Sequence, residues 1–227
     1  VTSQKHGASA LGLKRVLELG SYETAWTWLH KLRRAMVRPG RDRLTGAVEV
    51  DETYVGGPEE GVSGRETQDK ALVAVAAEKR GRLTGRIRLR QVHDASAACL
   101  ASFLKESITP GSLVHTDGWI GYAGLAALGY RHKVTVIKHS GQEAHRLLPR
   151  VHKVASLLKR WLLGTHQGGV QPQHLDYYLD EFTFRFNRRT SRSRGLLFYR
   201  LAQQAAATAP TPYRTLVGGK APPDHNM

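Results

Sequence analysis

Three strand patterns in succession, followed by single strands that alternate with helices, limit this chain to few architectures. The first strand pattern (AVEVDETYV) is rich in β-branched residues and ends at a Gly-Gly-Pro turn. The strand patterns occupy residues 47–55, 70–77, 85–93, 112–116 and 131–137. The helical patterns occupy residues 95–108, 122–128, 147–163, 172–186 and 196–206. This order predicts an α/β fold in which helices flank a mixed five-stranded sheet.

The composition is typical of a folded protein that needs neither a membrane nor disulfides. The chain has 227 residues, of which 41% are hydrophobic and 23% charged, enough for one large or two small domains. The apolar run at residues 71–77 is too short to span a bilayer. A single cysteine, Cys99, excludes a disulfide scaffold and a Cys-based zinc site. Since no secretory signal pattern is present, we expect a cytoplasmic protein.

The net charge is the strongest indication of a partner. Lys and Arg number 34 against 19 Asp and Glu, which gives a formal charge of +15 and an isoelectric point of about 10.3. Such an excess favours binding to nucleic acid or another polyanion. A basic face on an ordinary enzyme is the alternative.

The residues before the first strand predict two helices. Gly20 ends the first helix, and Ser21 is a suitable N-cap for the second. One stripe of the second helix is apolar, and its other positions include His30, Lys31, Arg33 and Arg34. This pattern predicts a helix-turn-helix-like segment at residues 1–40, or a helical hairpin packed on the main domain. Residues 41–206 then form the main domain, and the tail at 207–227 is expected to be disordered.

Two aspartates stand where the chemistry of a site is expected. Asp51 lies in the middle of the first strand, where a buried carboxylate is costly unless it is paired or bound to a cation. Strand alternation places Glu49, Asp51 and Thr53 on the same face. Asp117 closes the fourth strand, just before a glycine. Carboxylates at comparable positions of neighbouring strands can share divalent cations.

Four sequence blocks resemble a known family. Residues 48–57 (VEVDETYVGG) are similar to the first catalytic signature of the ISXO-like insertion-sequence transposases, which are bacterial DDE enzymes with an RNase-H-like core. Residues 116–119 (TDGW) resemble the second signature, and residues 157–160 (LLKR) with 164–166 (GTH) resemble the third region. Residues 178–189 (YLDEFTFRFNRR) match the closing signature. The resemblance covers about residues 5–200 and implies a bacterial, nucleoid-associated enzyme.

The sequence departs from this family at two places. The family's third acidic ligand usually stands on a helix seven residues before a Lys, but His152 stands seven residues before Lys159. Two helical turns place His152 and Lys159 on one face. The resemblance therefore implies a triad of Asp51, Asp117 and His152, unless Glu143 or Glu181 supplies the missing carboxylate. Full-length relatives usually begin with a Cys-rich zinc ribbon, and these residues contain no such pattern.

The resemblance also implies a reaction. Phosphodiester bonds are cut at the transposon ends, and the freed 3′-OH is joined to target DNA with two ions of Mg²⁺ or Mn²⁺. Asp51 would bridge the two ions, and Asp117 and His152 would each hold one. The implied partners are the terminal inverted repeats and target DNA, on which a homo-oligomer would assemble. The residues expected to contact DNA are Lys159, Arg160, Arg185, Arg188, Arg189, Arg192 and Arg194.

Three other functions are compatible with parts of this pattern. A general nuclease on the same RNase-H-like core would cut DNA without joining it. A degenerate remnant would bind DNA through its basic surface, and His152 and the missing ribbon favour it. A ribosomal-type RNA-binding protein would explain the charge but not the spaced aspartates.

Overall fold

The computed structural model describes residues 1–2, 6–38, 40–56, 70–136, 144–167 and 170–218. Its strands are β1 (Ala47–Val55), β2 (Ala71–Arg80), β3 (Leu83–Val92), β4 (Leu113–Thr116) and β5 (Arg131–Val134). Its helices before the last strand are α1 (Ala10–Val16), α2 (Tyr22–Ala35) and α3 (Ala97–Ser107). The later helices are α4 (Ala144–Leu147), α5 (Pro149–His166), α6 (Leu175–Asn187), α7 (Arg194–Ala207) and α8 (Tyr213–Val217).

The five strands form one sheet in the order β3-β2-β1-β4-β5. The β1–β2 and β2–β3 pairs are antiparallel, whereas the β1–β4 and β4–β5 pairs are parallel. The central strand β1 therefore has one antiparallel and one parallel neighbour. The predicted α/β fold, with a mixed five-stranded sheet and flanking helices, is confirmed.

The chain divides into two compact units. One unit comprises Asp42–Arg160, and the other comprises Val1–Arg41 together with Trp161–Met227. The first boundary falls next to the one predicted between residues 40 and 41, and the second falls inside α5. The sequence suggested no such division of the region from 41 to 206, because α5 reads as one continuous helical pattern.

The unit that contains the sheet has a continuous apolar core. Val48 and Val50 of β1 are almost fully buried, and they pack with α3 residues such as Phe103 and Leu104. Tyr122, in a short 3₁₀ helix after β4, is buried in the same cluster. The α3 helix starts at Ser96, whose hydroxyl accepts the Cys99 backbone N–H. This packing fixes the position of β1 and hence of its polar residues.

The second unit is helical in its described residues. The Ser21 hydroxyl accepts the Glu23 backbone N–H, as expected for the N-cap of α2. The sequence pattern predicts a basic outer face on α2, but two of its residues are buried. His30 and Arg33 are 0% and 2% exposed. Both side chains pack against α6 residues, including Tyr178. Packing against a distant helix buries these two side chains, and the periodicity of α2 alone does not predict it.

Two further segments differ from the sequence expectation. The helix expected at residues 122–128 is a 3₁₀ turn at Ile120–Tyr122 followed by turns, and Gly121, Gly124 and Gly129 explain why an α-helix is weak there. The tail expected to be disordered contains α8, whose Leu216 is fully buried. No helix among the described residues has the length and apolarity that a membrane span requires.

Candidate active site

Asp51 lies on the central strand of the sheet. In the antiparallel pairing it stands opposite Val75 of β2. One of its oxygens, Oδ1, accepts the Glu52 backbone N–H at 2.9 Å. The side chain is 17% exposed, so the carboxylate is sheltered but open to a ligand. As the alternation predicts, Glu49 lies on the same face of β1 as Asp51.

Asp117 directly follows β4, the parallel neighbour of β1. The register pairs Ala47 with Leu113 and Glu49 with His115. Continued by two residues, the same offset leads from Asp51 to Asp117. Adjacent strands lie about 4.8 Å apart, so the sheet carries both aspartates at one level. Asp117 Oδ1 accepts the Trp119 backbone N–H at 3.0 Å, which orients the carboxylate at the strand end.

His152 is brought to Asp51 by helix α5. Its Nε2 lies 3.6 Å from Asp51 Oδ2, and its side chain is 30% exposed. The sequence separation is large, so only the packing of α5 on the sheet makes this pair. Lys159 lies two turns later on the same helix and is exposed. The structure thus brings together two of the three residues of the predicted triad as close neighbours.

The pKa of the Tyr122 hydroxyl is shifted by burial and by the charges at this end of the sheet. Burial raises the pKa of Tyr122 well above its ordinary value, and the negative charges of Glu52, Asp51 and Asp117 raise it further. Tyr122 is therefore a neutral hydrogen-bond donor at neutral pH. Three carboxylates therefore lie near one buried hydroxyl at this end of the sheet.

The ligand atoms of Asp51, Asp117 and His152 are of types that bind divalent cations, but they do not form a compact group of three. Carboxylate oxygens are the preferred ligands of Mg²⁺, and an imidazole nitrogen is accepted more readily by Mn²⁺. Asp51 and His152 are close enough to share an ion. Within the described part of the chain, however, no group of three or more His, Cys, Asp or Glu side chains is compact enough to hold a metal.

The two alternative carboxylates differ in what the structure says of them. Glu143 lies outside the described residues. Glu181 is fully buried, and its Oε2 and Oε1 accept hydrogen bonds from Arg33 and Arg185, both at 2.8 Å. These arginines, together with their hydrogen bonds, outweigh the effect of burial and hold the pKa of Glu181 below its usual value. Its two oxygens are therefore engaged, which argues against Glu181 as a metal ligand.

Two of the predicted DNA contacts lie in the second half of α5. Lys159 and Arg160 are both exposed. Partial burial and the positive charge of Lys70 lower the pKa of Lys159. Lys70 directly precedes β2, and its side chain crosses Gly56 so closely that an added Cβ there would stand 2.9 Å from Lys70 Cγ. Two lysines thus lie close enough to affect each other near the end of β1.

The five predicted arginines near the end of α6 have different surroundings. Arg185 is paired with Glu181 at 2.7 Å and also donates to the carbonyl of Val1. Arg188 and Arg189 each stack on a phenylalanine, with 4.0 Å between guanidinium carbon and ring centroid. Burial and the positive charges of Arg200 and Arg38 lower the pKa of Arg188. Arg192 is exposed, and Arg194 begins α7.

Sequence reasoning assigned no role to Glu52 or Arg150. Glu52 alternates to the opposite face of β1 and acts on Tyr122. Arg150 is bound by Glu49, two residues before Asp51. The alternation within β1 shows which face Glu49 and Glu52 lie on. Their partners, Arg150 and Tyr122, lie in other elements, so no local pattern predicts these contacts.

Comparison with known proteins identifies the catalytic region. The family model of the ISXO2-like transposase domain matches residues 43–187, more than half of the chain. Among solved structures, the catalytic core domain of BIV integrase is similar at 12% identity and a TM-score of 0.41, over 73% of this chain and all of that chain (100%). The Mos1 strand transfer complex is similar at 13% identity and a TM-score of 0.37, over 84% of this chain and 61% of that chain. No curated protein matches the sequence significantly.

Proposed function

We propose that this chain, which belongs to the family of ISXO2-like transposase domains, uses Asp51, Asp117 and His152 to cut and join DNA. It is an insertion-sequence transposase of the DDE type, as the sequence predicted. The observation that supports this assignment of residues is the approach of His152 Nε2 to Asp51 Oδ2, at 3.6 Å, on the central strand of the sheet. The proposed reactions are cleavage at transposon ends and transfer of the 3′-OH into target DNA.

Divalent metal ions serve enzymes of this family generally, and Mg²⁺ or Mn²⁺ is the cofactor proposed here. Two such ions, when bound, supply activation of the attacking oxygen and stabilisation of the leaving oxygen. Asp51 and Asp117 would hold them through carboxylate oxygens, and His152 would add an imidazole nitrogen.

The chain's own side chains have further tasks in this proposal. Tyr122 stays protonated beside the carboxylates of Glu52, Asp51 and Asp117. Lys159 and Lys70 carry positive charge near the end of β1, where a DNA phosphate would come close. No protein nucleophile is required, since water and then the 3′-OH attack phosphorus.

DNA is the substrate of a transposase, and its terminal inverted repeats and target are the proposed partners. The charge of +15 supports strong, salt-dependent attraction to both. Lys159, Arg160, Arg188, Arg189, Arg192 and Arg194 remain proposed contacts. Arg185 remains one as well, although it already has Glu181 as a partner. A homo-oligomer assembled on DNA completes the proposal.

Cleavage assays on two aspartate variants test the assignment. Asp51→Asn and Asp117→Asn should each abolish metal-dependent cleavage of DNA that carries the terminal repeats, while DNA binding remains largely intact. The control is Asp94→Asn, because Asp94 also accepts a backbone N–H through Oδ1, at 2.9 Å, but lies before α3 and is exposed. Near-wild-type cleavage by either site variant would refute the assignment.

One observation favours a second candidate, a DNA-binding remnant without activity. That observation is the lack of a compact metal-ligand group among the residues that the structure describes. The remnant would bind DNA but would cleave it in neither Mg²⁺ nor Mn²⁺. A general nuclease, in turn, would cut the same DNA without joining the products, so measuring cleavage and strand transfer together separates all three.

A further inference from the structure

Glu49 is a buried carboxylate on β1, two residues before Asp51 and on the same face. It is 5% exposed, and it lies where a charge is costly unless it is fully bonded. Its Oε1 accepts Arg150 Nη1 at 2.6 Å. Its Oε2 accepts the backbone N–H groups of Arg150 and Val151, at 2.6 and 3.2 Å. Glu49 is thus bonded entirely to the first turn of α5.

The start of α5 depends on this carboxylate for its cap. A helix leaves its first N–H groups without intrahelical partners, and a nearby negative charge stabilises that end. The first turn of α5 contains no acidic residue, and Pro149 at its start has no N–H to offer. Glu49 therefore does from the neighbouring strand what an N-cap side chain does locally.

Arg150 fastens the same turn at a second place. Its Nη2 donates to the carbonyl of Gly81 at 3.0 Å, and its Nε donates to the carbonyl of Leu83 at 3.4 Å. Gly81 lies in the turn between β2 and β3, and Leu83 is the first residue of β3. The first turn of α5 is therefore held to two separate parts of the sheet by one side chain and one carboxylate.

We infer that Glu49 and Arg150 are positioning residues of the transposase site, which hold the first turn of α5 so that His152 faces Asp51. Asp51 lies two positions after Glu49 along β1, and His152 lies two positions after Arg150 along α5. The bonded pair of Glu49 and Arg150 therefore sets the distance between Asp51 and His152, which is 3.6 Å from Oδ2 to Nε2. This inference rests on the function proposed above, because it assigns Glu49 and Arg150 to that same site.

A matched control exists on the next strand. Glu78 of β2 also binds one arginine, Arg86, at 2.7 Å and accepts two backbone N–H groups, those of Thr45 and Arg86. Its bonds have the same chemistry as those of Glu49, but none of them reaches α5. Glu49→Gln and Glu78→Gln therefore remove equivalent charges, and only the first loosens the helix that carries His152.

The experiment compares these variants in the purified full chain by two measurements. The first is amide hydrogen exchange without metal, in which the N–H groups of Arg150 and Val151 should exchange at least about tenfold faster in Glu49→Gln only. The second is direct titration with Mn²⁺, in which Glu49→Gln should bind about 10–100-fold more weakly, as expected when a group that orients a ligand is lost. Glu78→Gln should match wild type in both.

Arg150→Met keeps the test decisive if Glu49→Gln does not fold, because the backbone N–H groups of residues 150 and 151 can still donate to Glu49. This variant should show smaller changes in exchange rate and Mn²⁺ affinity, in the same direction. Equal exchange rates or equal Mn²⁺ affinities in the Glu49 and Glu78 variants would overturn the inference. Asp51→Asn separates this result from failure of the proposed function. If Asp51→Asn binds Mn²⁺ as tightly as wild type, the metal site itself is wrong and the inference falls with it.

Discussion

Arg33 donates its Nε–H to Glu181 Oε2 at 2.8 Å, and the two side chains are 2% and 0% exposed. One residue lies in α2 and the other in α6, 148 positions later. Arg185 approaches the other oxygen of Glu181, and the Arg33 guanidinium stacks on Tyr178 with 4.0 Å between its carbon and the ring centroid. A buried carboxylate thus lies between two guanidinium groups in the helical unit.

We expect Glu181→Gln to lower the free energy of unfolding by about 3–5 kcal/mol, because it leaves buried arginine charge without its partner. Glu106→Gln is the control, since Glu106 pairs with Arg90 at 2.5 Å but is 58% exposed, and its loss should cost at most about 1 kcal/mol. Urea denaturation measures both. A similar small loss in the two variants would show that the buried arrangement stabilises the unit no more than a surface ion pair.

His152 should determine which metal supports activity. A neutral imidazole brings one nitrogen ligand and no charge, so wild type should cleave better in Mn²⁺ than in Mg²⁺. His152→Ala should lose most cleavage, and His152→Glu should keep or restore cleavage in Mg²⁺. His93→Ala is the control, because His93 also lies near an aspartate, at 3.3 Å from Asp94, but is 93% exposed. Full activity of His152→Ala in both metals would remove His152 from the site.

Arg188 and Arg189 should contribute to the salt dependence of DNA binding. Each phosphate contact adds about 1 to the slope of log affinity against log salt, so replacing both by Ala should reduce the slope by about 2. Fluorescence anisotropy at several salt concentrations measures this slope. Arg185→Ala is an informative comparison, because the pairing of Arg185 with Glu181 predicts a loss of stability with a smaller change in slope. An unchanged slope in the double variant would mean that the two arginines do not contact DNA phosphates.

The helical unit should lose stability in mild acid. Burial, with the charge of Arg33, lowers the pKa of His30 to about 2 and the pKa of His166 to about 4. In the unfolded chain both titrate near 6.5, so the unfolded state binds more protons below that pH. The contribution of the two neutral histidines to stability is therefore complete above pH ~6.5. It is lost as the pH falls towards their pKa values in the folded chain. Denaturation at pH 7.5 and pH 5 should show this loss.

His30→Phe isolates this effect from other titrating groups. Burial raises the pKa of Asp180 to about 7, which acts in the opposite direction over the same pH range. The useful quantity is therefore the difference between wild type and His30→Phe, which keeps an aromatic ring against Trp26 and Tyr177. The variant should depend less steeply on pH between 7.5 and 5. An identical dependence would show that His30 accepts a proton without cost in the folded chain.

Much of the fold can be predicted from local pattern. The β-branched run at 47–55 predicted β1 at its observed bounds, and Ser21 caps α2 as expected. The helical pattern at residues 172–186 predicted α6 almost at its observed bounds. These properties depend on neighbours a few residues away, through side-chain alternation, helical periodicity and capping, and the sequence states them directly.

The sequence by itself therefore determined the order of the elements, the central strand with Asp51 and the family to which the catalytic region belongs. Only the tertiary structure decided that Arg33 is buried against Glu181, and that Glu49 caps a helix 101 residues later. A charged residue in a helical pattern is normally expected at the surface, because burial is costly without a partner. The partner is supplied by packing between distant segments, and no local pattern in the sequence records that choice.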